Sequence, residues 1–195
     1  MKKTFLNILM ATPLVIVLAC SSSKTVTRVD ENSQIDLSGR WNDTDSRLVA
    51  EEMVKDGLSR PWVADFMEEN GKKPTVIVGI IKNKSSEHIS AETFTNDIER
   101  EFINAGRVRV VQGGEAREEL RKERADQQEF ASVETTKKWG MERGADFILQ
   151  GTINSITDSN SKDKLVYYQT DLELTHIQTN EKVWIGSKKI KKVIN

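Results

Sequence analysis

The chain has 195 residues, 29 Lys+Arg against 30 Asp+Glu, a net charge of −1 at pH 7, one cysteine and 37% hydrophobic residues. That length fits one domain with a tail, and the near-neutral balance excludes a nucleic-acid protein built on bulk positive charge. A lone cysteine excludes an internal disulfide and a cysteine-rich zinc site, and periodic apolar runs exclude a disordered chain.

Residues 1–19 read as a secretory signal. Lys2 and Lys3 form the positive start, Phe5 to Ala19 the apolar run, and the small Ala19 precedes the cut. Asn7, Thr12 and Pro13 interrupt the run, which is too short for a comfortable membrane span. Val17-Leu18-Ala19-Cys20 resembles the lipobox of bacterial lipoproteins, where the cysteine takes a diacylglyceryl group and becomes the new amino terminus. The resemblance implies a lipid on Cys20, several acyl chains and hence stable anchoring. Ser21 after it, in place of Asp, implies the outer membrane. The only thiol is then spent on lipid, and no other cofactor is expected.

Residues 20–40 carry that Cys20 and a polar stretch without apolar periodicity, which predicts a flexible tether. A chain of about 20 residues reaches ~70 Å when fully extended and ~25 Å as a random coil. Residues 41–195 then form a single α/β domain.

Within the domain, Asn42 to Asp45 offer helix N-caps, and Val49, Ala50, Met53, Val54 and Gly57 share one face of the helix that follows. A second helix starts at Pro61 and ends at Asn70-Gly71, with Trp62, Phe66 and Met67 as its apolar residues. Pro74–Ile81 is nearly continuous apolar, which predicts a central strand covered on both faces. Asn83–His88 is a loop, and Ser90 caps a helix with the stripe Phe94, Ile98, Phe102 and Ala105, stopped by Gly106. Val108–Val111 is a short strand, Gly113-Gly114 a turn, and Glu115–Glu129 an exposed helix supported by pairs such as Glu118 with Lys122. Ser132 caps a further helix ending near Gly144. Three strands close the chain: Phe147–Ile153; Lys164–Ile177, whose strict alternation marks one wet face; and Val183–Ile190 after a turn at Thr179-Asn180-Glu181. The expected fold class is α/β. Right-handed crossovers give a mixed five-stranded sheet in the order 2-1-3-4-5, its first half parallel and its C-terminal half an antiparallel meander, with helices packed on it.

Chemistry-bearing residues are sparse. His88 and His176 have no Cys or His partner at ligand spacing, so neither a metal site nor a catalytic site is predicted. Gly113-Gly114 lacks the spacing of a phosphate loop, and Asp171 with Glu173 read as solvated carboxylates. Lys188, Lys189, Lys191 and Lys192 read first as charge protecting an edge strand, and second as a patch for an acidic partner or membrane head groups. Trp41 and Trp184 are candidate interface anchors, Trp62 and Trp139 core residues. The loop after the first strand leaves its carboxyl end, where open α/β sheets place a binding crevice. Asn83, Ser85, Glu87 and His88 are therefore the candidate partner-binding residues.

Four segments carry a family resemblance: Gly39–Asp45; the strand Pro74–Ile81 with Asn83-Lys84-Ser85-Ser86-Glu87-His88-Ile89; Gly144-Ala145-Asp146-Phe147; and Tyr168–Leu174 with Glu181-Lys182-Val183-Trp184. Together they resemble the LpoB family of penicillin-binding protein activator lipoproteins, related in fold to the N-terminal domain of TolB and to CsgG. The resemblance implies an outer-membrane-anchored periplasmic protein that is not an enzyme. It would bind a class A penicillin-binding protein and stimulate peptidoglycan synthesis allosterically. The alternative is a CsgG-like accessory of outer-membrane secretion or assembly. A hydrolase using the Asn83–His88 loop ranks last.

Overall fold

The computed structural model describes residues 26–30, 33–130 and 142–194, and the fold lies within the unit Asn32–Asn195. Helix α1 (Asp43–Ser59) starts with a reciprocal cap. The Asn42 side chain accepts from the Asp45 N–H at 3.1 Å, and the Asp45 carboxylate accepts from the Asn42 N–H at 3.0 Å, which satisfies two otherwise orphaned donors. Val49, Ala50, Met53, Val54 and Gly57 are all buried, as their shared face predicts. Helix α2 (Trp62–Asn70) follows Pro61 and ends on Gly71 at φ 63°. It turns Trp62, Val63 and Phe66 inward, whereas Met67, also apolar, is 42% exposed.

Strand β1 (Thr75–Asn83) leads through the loop to α3 (Ala91–Ala105), capped by Ser90 and stopped by Gly106 at φ 65°. Phe94, Ile98 and Phe102 are buried, but Ala105 in the last turn is exposed. Strand β2 keeps only Arg109 and Val110. Helix α4 (Gly114–Phe130) buries no residue, and its Glu118 pairs with Arg121. The helix expected from Ser132, and Trp139 with it, fall on 131–141, outside the described residues. Three 13-residue strands follow: β3 (Phe147–Ser159), β4 (Lys164–His176) and β5 (Lys182–Ile194). The first and last of these run longer than their apolar patterns predict.

The sheet order is β2-β1-β3-β4-β5. Strand β1 runs parallel to both β2 and β3, and the β3–β4 and β4–β5 pairs are antiparallel. The order and directions match the chirality argument.

The expectation of cover on both faces of β1 does not hold among the described residues. A register shift between Val78 and Ile81 turns Val76, Val78 and Ile81 to the helix side and leaves Ile80 67% exposed. An unbroken apolar run hides such an irregularity, because the alternation that would reveal the wet face is missing. Helices α1, α2 and α3 pack their buried residues on one face only, around Leu149, Ile153, Tyr168, Leu172 and Leu174. Gly151 allows β3 to approach β4 there: a Cβ would stand 2.3 Å from the Asp171 carbonyl oxygen.

Trp184 and Trp41 belong to this core, not to an interface. The Trp184 indole lies over Gly186, where a Cβ would come within 2.2 Å of the ring, and its Nε1 donates to Asp56 at 2.8 Å. That bond, aided by Arg60, holds the Asp56 carboxyl below the ordinary aspartate range. The Trp41 ring meets Phe94 and Tyr168 edge-on at 6.1 and 5.6 Å.

Candidate functional site

The Asn83–His88 loop is built by its own side chains. Asn83 Oδ1 accepts from the Ser85 N–H and hydroxyl at 2.9 and 2.7 Å, while Asn83 Nδ2 donates to the carbonyls of Glu87 and Ile89 at 2.8 and 3.3 Å. The Ser86 N–H donates to Ser155 Oγ at 3.1 Å. Glu87 reaches into the domain: Oε1 accepts from the Tyr168 hydroxyl at 2.8 Å and Oε2 from the Trp41 N–H at 3.2 Å. Burial first, and the Glu87 carboxylate second, hold the Tyr168 hydroxyl well above its usual pKa. The structure thus brings Asn83, Ser85 and Glu87 together in one network and leaves His88 exposed. Ser85 Oγ bonds to Asn83 and to the Glu87 carbonyl, an arrangement that positions a loop rather than activating a nucleophile.

A second network closes the start of the domain. Lys192 Nζ donates to Asp36 and Asp45 at 2.6 Å each and to the Arg40 carbonyl at 3.0 Å. Burial opposes its charge, but the two carboxylates outweigh burial and raise the lysine pKa, while Lys192 lowers that of Asp36. Asn42 Nδ2 also donates to Asp36 Oδ1 at 2.7 Å. Gly39, at φ 66°, crosses Ile194 so closely that a Cβ would lie 2.4 Å from its Cγ1. Ile35–Arg40, expected in the tether, are therefore strapped to β5. Lys188 also faces inward and pairs with Glu52. Inward-turned charge on an edge strand disfavours edge-to-edge association, so Lys188 and Lys192 are absorbed by the fold.

Lys189 and Lys191 lie on the opposite face, which the described residues leave uncovered. There the register sets Gln150, Glu173 and Ile185 in one row, Thr152, Asp171 and Ser187 in the next, then Asn154, Gln169 and Lys189, then Ile156, Tyr167 and Lys191. The polar members hold each other. The Tyr167 hydroxyl donates to Gln169 Oε1 at 2.9 Å, and Gln169 Nε2 donates to both Asp171 oxygens at 2.9 Å. Lys191 lies 5.9 Å over the Tyr167 ring, and Lys182 pairs with Glu173 at 2.6 Å. Beside this chain is a depression of about 320 Å³, lined by Ile80, Lys82, Lys84, Asp171, Glu173 and Ile185 among others. Ile80, Ile156 and Ile185 are each about two-thirds exposed.

Apolar side chains on an uncovered sheet face mark an interaction surface. Polar groups already fixed in place lose little freedom when a partner docks. Lys82, Lys84, Lys189 and Lys191 give this face a positive bias, with Asp171 and Glu173 tied to neighbours. The arrangement suits protein binding; among the described residues no His, Cys, Asp or Glu group is set to hold a metal. Alternation in β4 was the signal for this face. What periodicity did not supply is that β1, β3 and β5 leave their matching rows open beside it.

A family model described as the peptidoglycan-synthase activator LpoB matches residues 45–190. No curated protein matches the chain in sequence. Among solved structures, the LpoB C-terminal domain from Escherichia coli is 15% identical, with 75% of this chain and 98% of that one covered and a TM-score of 0.44. The NMR structure of E. coli LpoB is 14% identical over 94% of this chain and 88% of that one, with a TM-score of 0.42. Lipoprotein GNA1162 from Neisseria meningitidis is 13% identical over 62% of this chain and 83% of that one, also at 0.42.

Proposed function

The chain belongs to the LpoB family of peptidoglycan-synthase activators, and from that premise we propose that it regulates a class A penicillin-binding protein by binding it through the uncovered face of β1, β3, β4 and β5. Activation of this kind needs no catalytic group on the activator. It requires only that the protein bind the active conformer of the synthase more tightly than the inactive one, which shifts the population. The observation that carries the reading is the open sheet face, with its exposed Ile80 and Ile185 beside the fixed chain Tyr167–Gln169–Asp171.

Cys20, outside the described residues, is the proposed lipid attachment. It would hold the protein at the outer membrane with the domain in the periplasm. With Asp36 held by Lys192, about 15 residues separate Cys20 from the strap, and a coil of that length would span ~20 Å. Meeting a synthase rooted in the other membrane therefore requires that the partner's own periplasmic part extend toward this one. The Asn83–His88 loop is retained as a flank of the docking surface, with Lys84, Ser86 and His88 its exposed members.

The test uses the full mature chain with Cys20→Ser, which stays soluble if lipid is its only membrane attachment. It should bind a class A synthase from the same cell in a pull-down and raise its rate of glycan polymerisation. Ile80→Ser with Ile185→Ser should weaken binding at least tenfold and lower the stimulation with it. Failure to bind any class A synthase would overturn the reading, and co-purification with an outer-membrane pore would replace it with the secretion-accessory one.

A further inference from the structure

The strap over residues 36–40 is held by polar contacts that converge on one side chain. Asp36 Oδ1 accepts from Lys192 Nζ at 2.6 Å and from Asn42 Nδ2 at 2.7 Å, and Lys192 Nζ also donates to the Arg40 carbonyl. Apolar burial adds little. Leu37 is 93% exposed, and Gly39, which has no side chain, lies against Ile194. One residue further on, the attachment changes character. The Trp41 ring packs on Phe94 and Tyr168, its N–H donates to Glu87, and Asn42 locks with Asp45 at the start of α1. A soft hold is thus followed by a hard stop.

Release of the soft part strands no charge. The Lys192 and Asp45 side chains, each 10% exposed, remain paired with one another at 2.6 Å, while the Asp36 side chain, already 39% exposed, returns to water. Breaking a buried pair is costly because it leaves a charge uncompensated. Here the lysine keeps its second carboxylate, and what is lost is the small gain of a surface pair.

We propose that residues 36–40 form a releasable clasp on the tether, which load between the amino end and the domain opens before the domain unfolds. Opening moves the point of attachment from Asp36 to Trp41. The reach then grows by about five residues, ~17 Å at full stretch. Against the ~50 Å that about 15 extended residues span, that is a gain of about a third. Such a reserve suits a membrane-held activator that must meet a distant partner. That use rests on the anchor and docking face proposed above; the mechanics of the clasp do not.

The experiment stretches the full mature chain in an optical trap, with handles on Cys20, the sole thiol, and on Ser187→Cys in the uncovered face. The parent should lengthen reversibly, by up to ~17 Å, at a force below that of global unfolding. Asp36→Ala should remove this step. Gly39→Ala, whose Cβ would stand 2.4 Å from Ile194 Cγ1 at a φ of 66°, should lower its force at least twofold. Global unfolding should occur at the parent's force in both variants. Without handles, trypsin should cut after Arg40 at least fivefold faster in both variants than in the parent, relative to its cut after Arg28. A parent that lengthens only on global unfolding, an unchanged step in either variant, or an unchanged cleavage ratio would each overturn the proposal. The mass of the mature protein reads the lipid on Cys20 separately, so the anchor and the clasp fail or stand apart.

Discussion

Strand β4 serves two environments with alternate residues. On one side Val166, Tyr168, Thr170, Leu172 and Leu174 are sealed beneath α1, α2 and α3. On the other, Tyr167, Gln169, Asp171 and Glu173 are half exposed, yet each is held by a neighbour or a cation. The closed face gains its stability from burial and tolerates little change. The open face contributes little to stability, yet its side chains are ordered as if for contact. A regulator whose work is recognition needs both: a rigid back and a prearranged front.

The sharpest way to test that contrast is Tyr168→Ala against Tyr167→Ala. Removing the buried ring leaves a cavity and strips Glu87 of a donor, which should cost about 3–5 kcal/mol of unfolding free energy. Removing the exposed ring should cost about 1 kcal/mol or less. Urea unfolding measures both, and equal losses would break the distinction between the faces.

Next in size is Glu87→Ala. It leaves the Tyr168 hydroxyl and the Trp41 N–H without their acceptor, at about 1–3 kcal/mol. If the Asn83–Ile89 loop chiefly ties β1, β4 and residue 41 together, synthase binding by the folded fraction stays within twofold of the parent. A larger loss in the same pull-down would move the loop from the rigid back to the front.

Much of this back was legible in the sequence. Caps at Asn42 and Ser90, stops at Gly71 and Gly106, and the alternation of β4 are local signals that the fold had no reason to override. The sheet order followed from chirality alone. Which partners hold Trp41, Trp184, Lys188 and Lys192 was not legible, because each depends on a residue far away in the chain. Trp184 needs Gly57 and Asp56, and Lys192 needs Asp36 and Asp45. The Asn83–Ile89 segment stood out as a motif, but a motif shows only that its residues matter. Its hydrogen bonds show that three of them face inward. The open face was hidden for a different reason: an apolar run looks the same whether its second face is covered or bare.

Ionisation supplies a third probe of the closed side. The pKa of Lys192 and that of Tyr168 are raised by folding. Their contributions are therefore complete below the unfolded values of about 10 and are lost as pH climbs through the higher folded ones. Asp36 and Asp56 are lowered, so theirs are complete above about pH 4 and are lost as pH falls through the depressed values. Stability should fall at both extremes. Tyr168→Phe should flatten the alkaline limb only, whereas Lys192→Met, which also removes the cation that lowers Asp36, should flatten both limbs, as read from thermal midpoints across pH. A mutation on the open face should leave both limbs unchanged.

Thr170 sharpens the contrast within the core itself. Its hydroxyl is sealed in with no partner among the described residues. Thr170→Val removes an unsatisfied polar atom and keeps the shape, so unfolding free energy should rise by about 1 kcal/mol. A fall of that size would show that the hydroxyl has a partner in solution, and that the closed face is less dry than its packing indicates.

The smallest effect on stability carries the most functional weight. Ile80 and Ile185 are about two-thirds exposed and line the same depression. Replacing both with serine removes little buried area, so each change should stay within about 0.5 kcal/mol in urea unfolding. Their apolar surface is available to a partner, and a central apolar contact often dominates an interface. The pair should therefore cost at least tenfold in synthase affinity, measured by surface plasmon resonance on the immobilised synthase, at unchanged thermal midpoint. The converse pattern, lost stability with intact binding, would mean that the uncovered face is structural. The partner would then have to meet another surface of the domain.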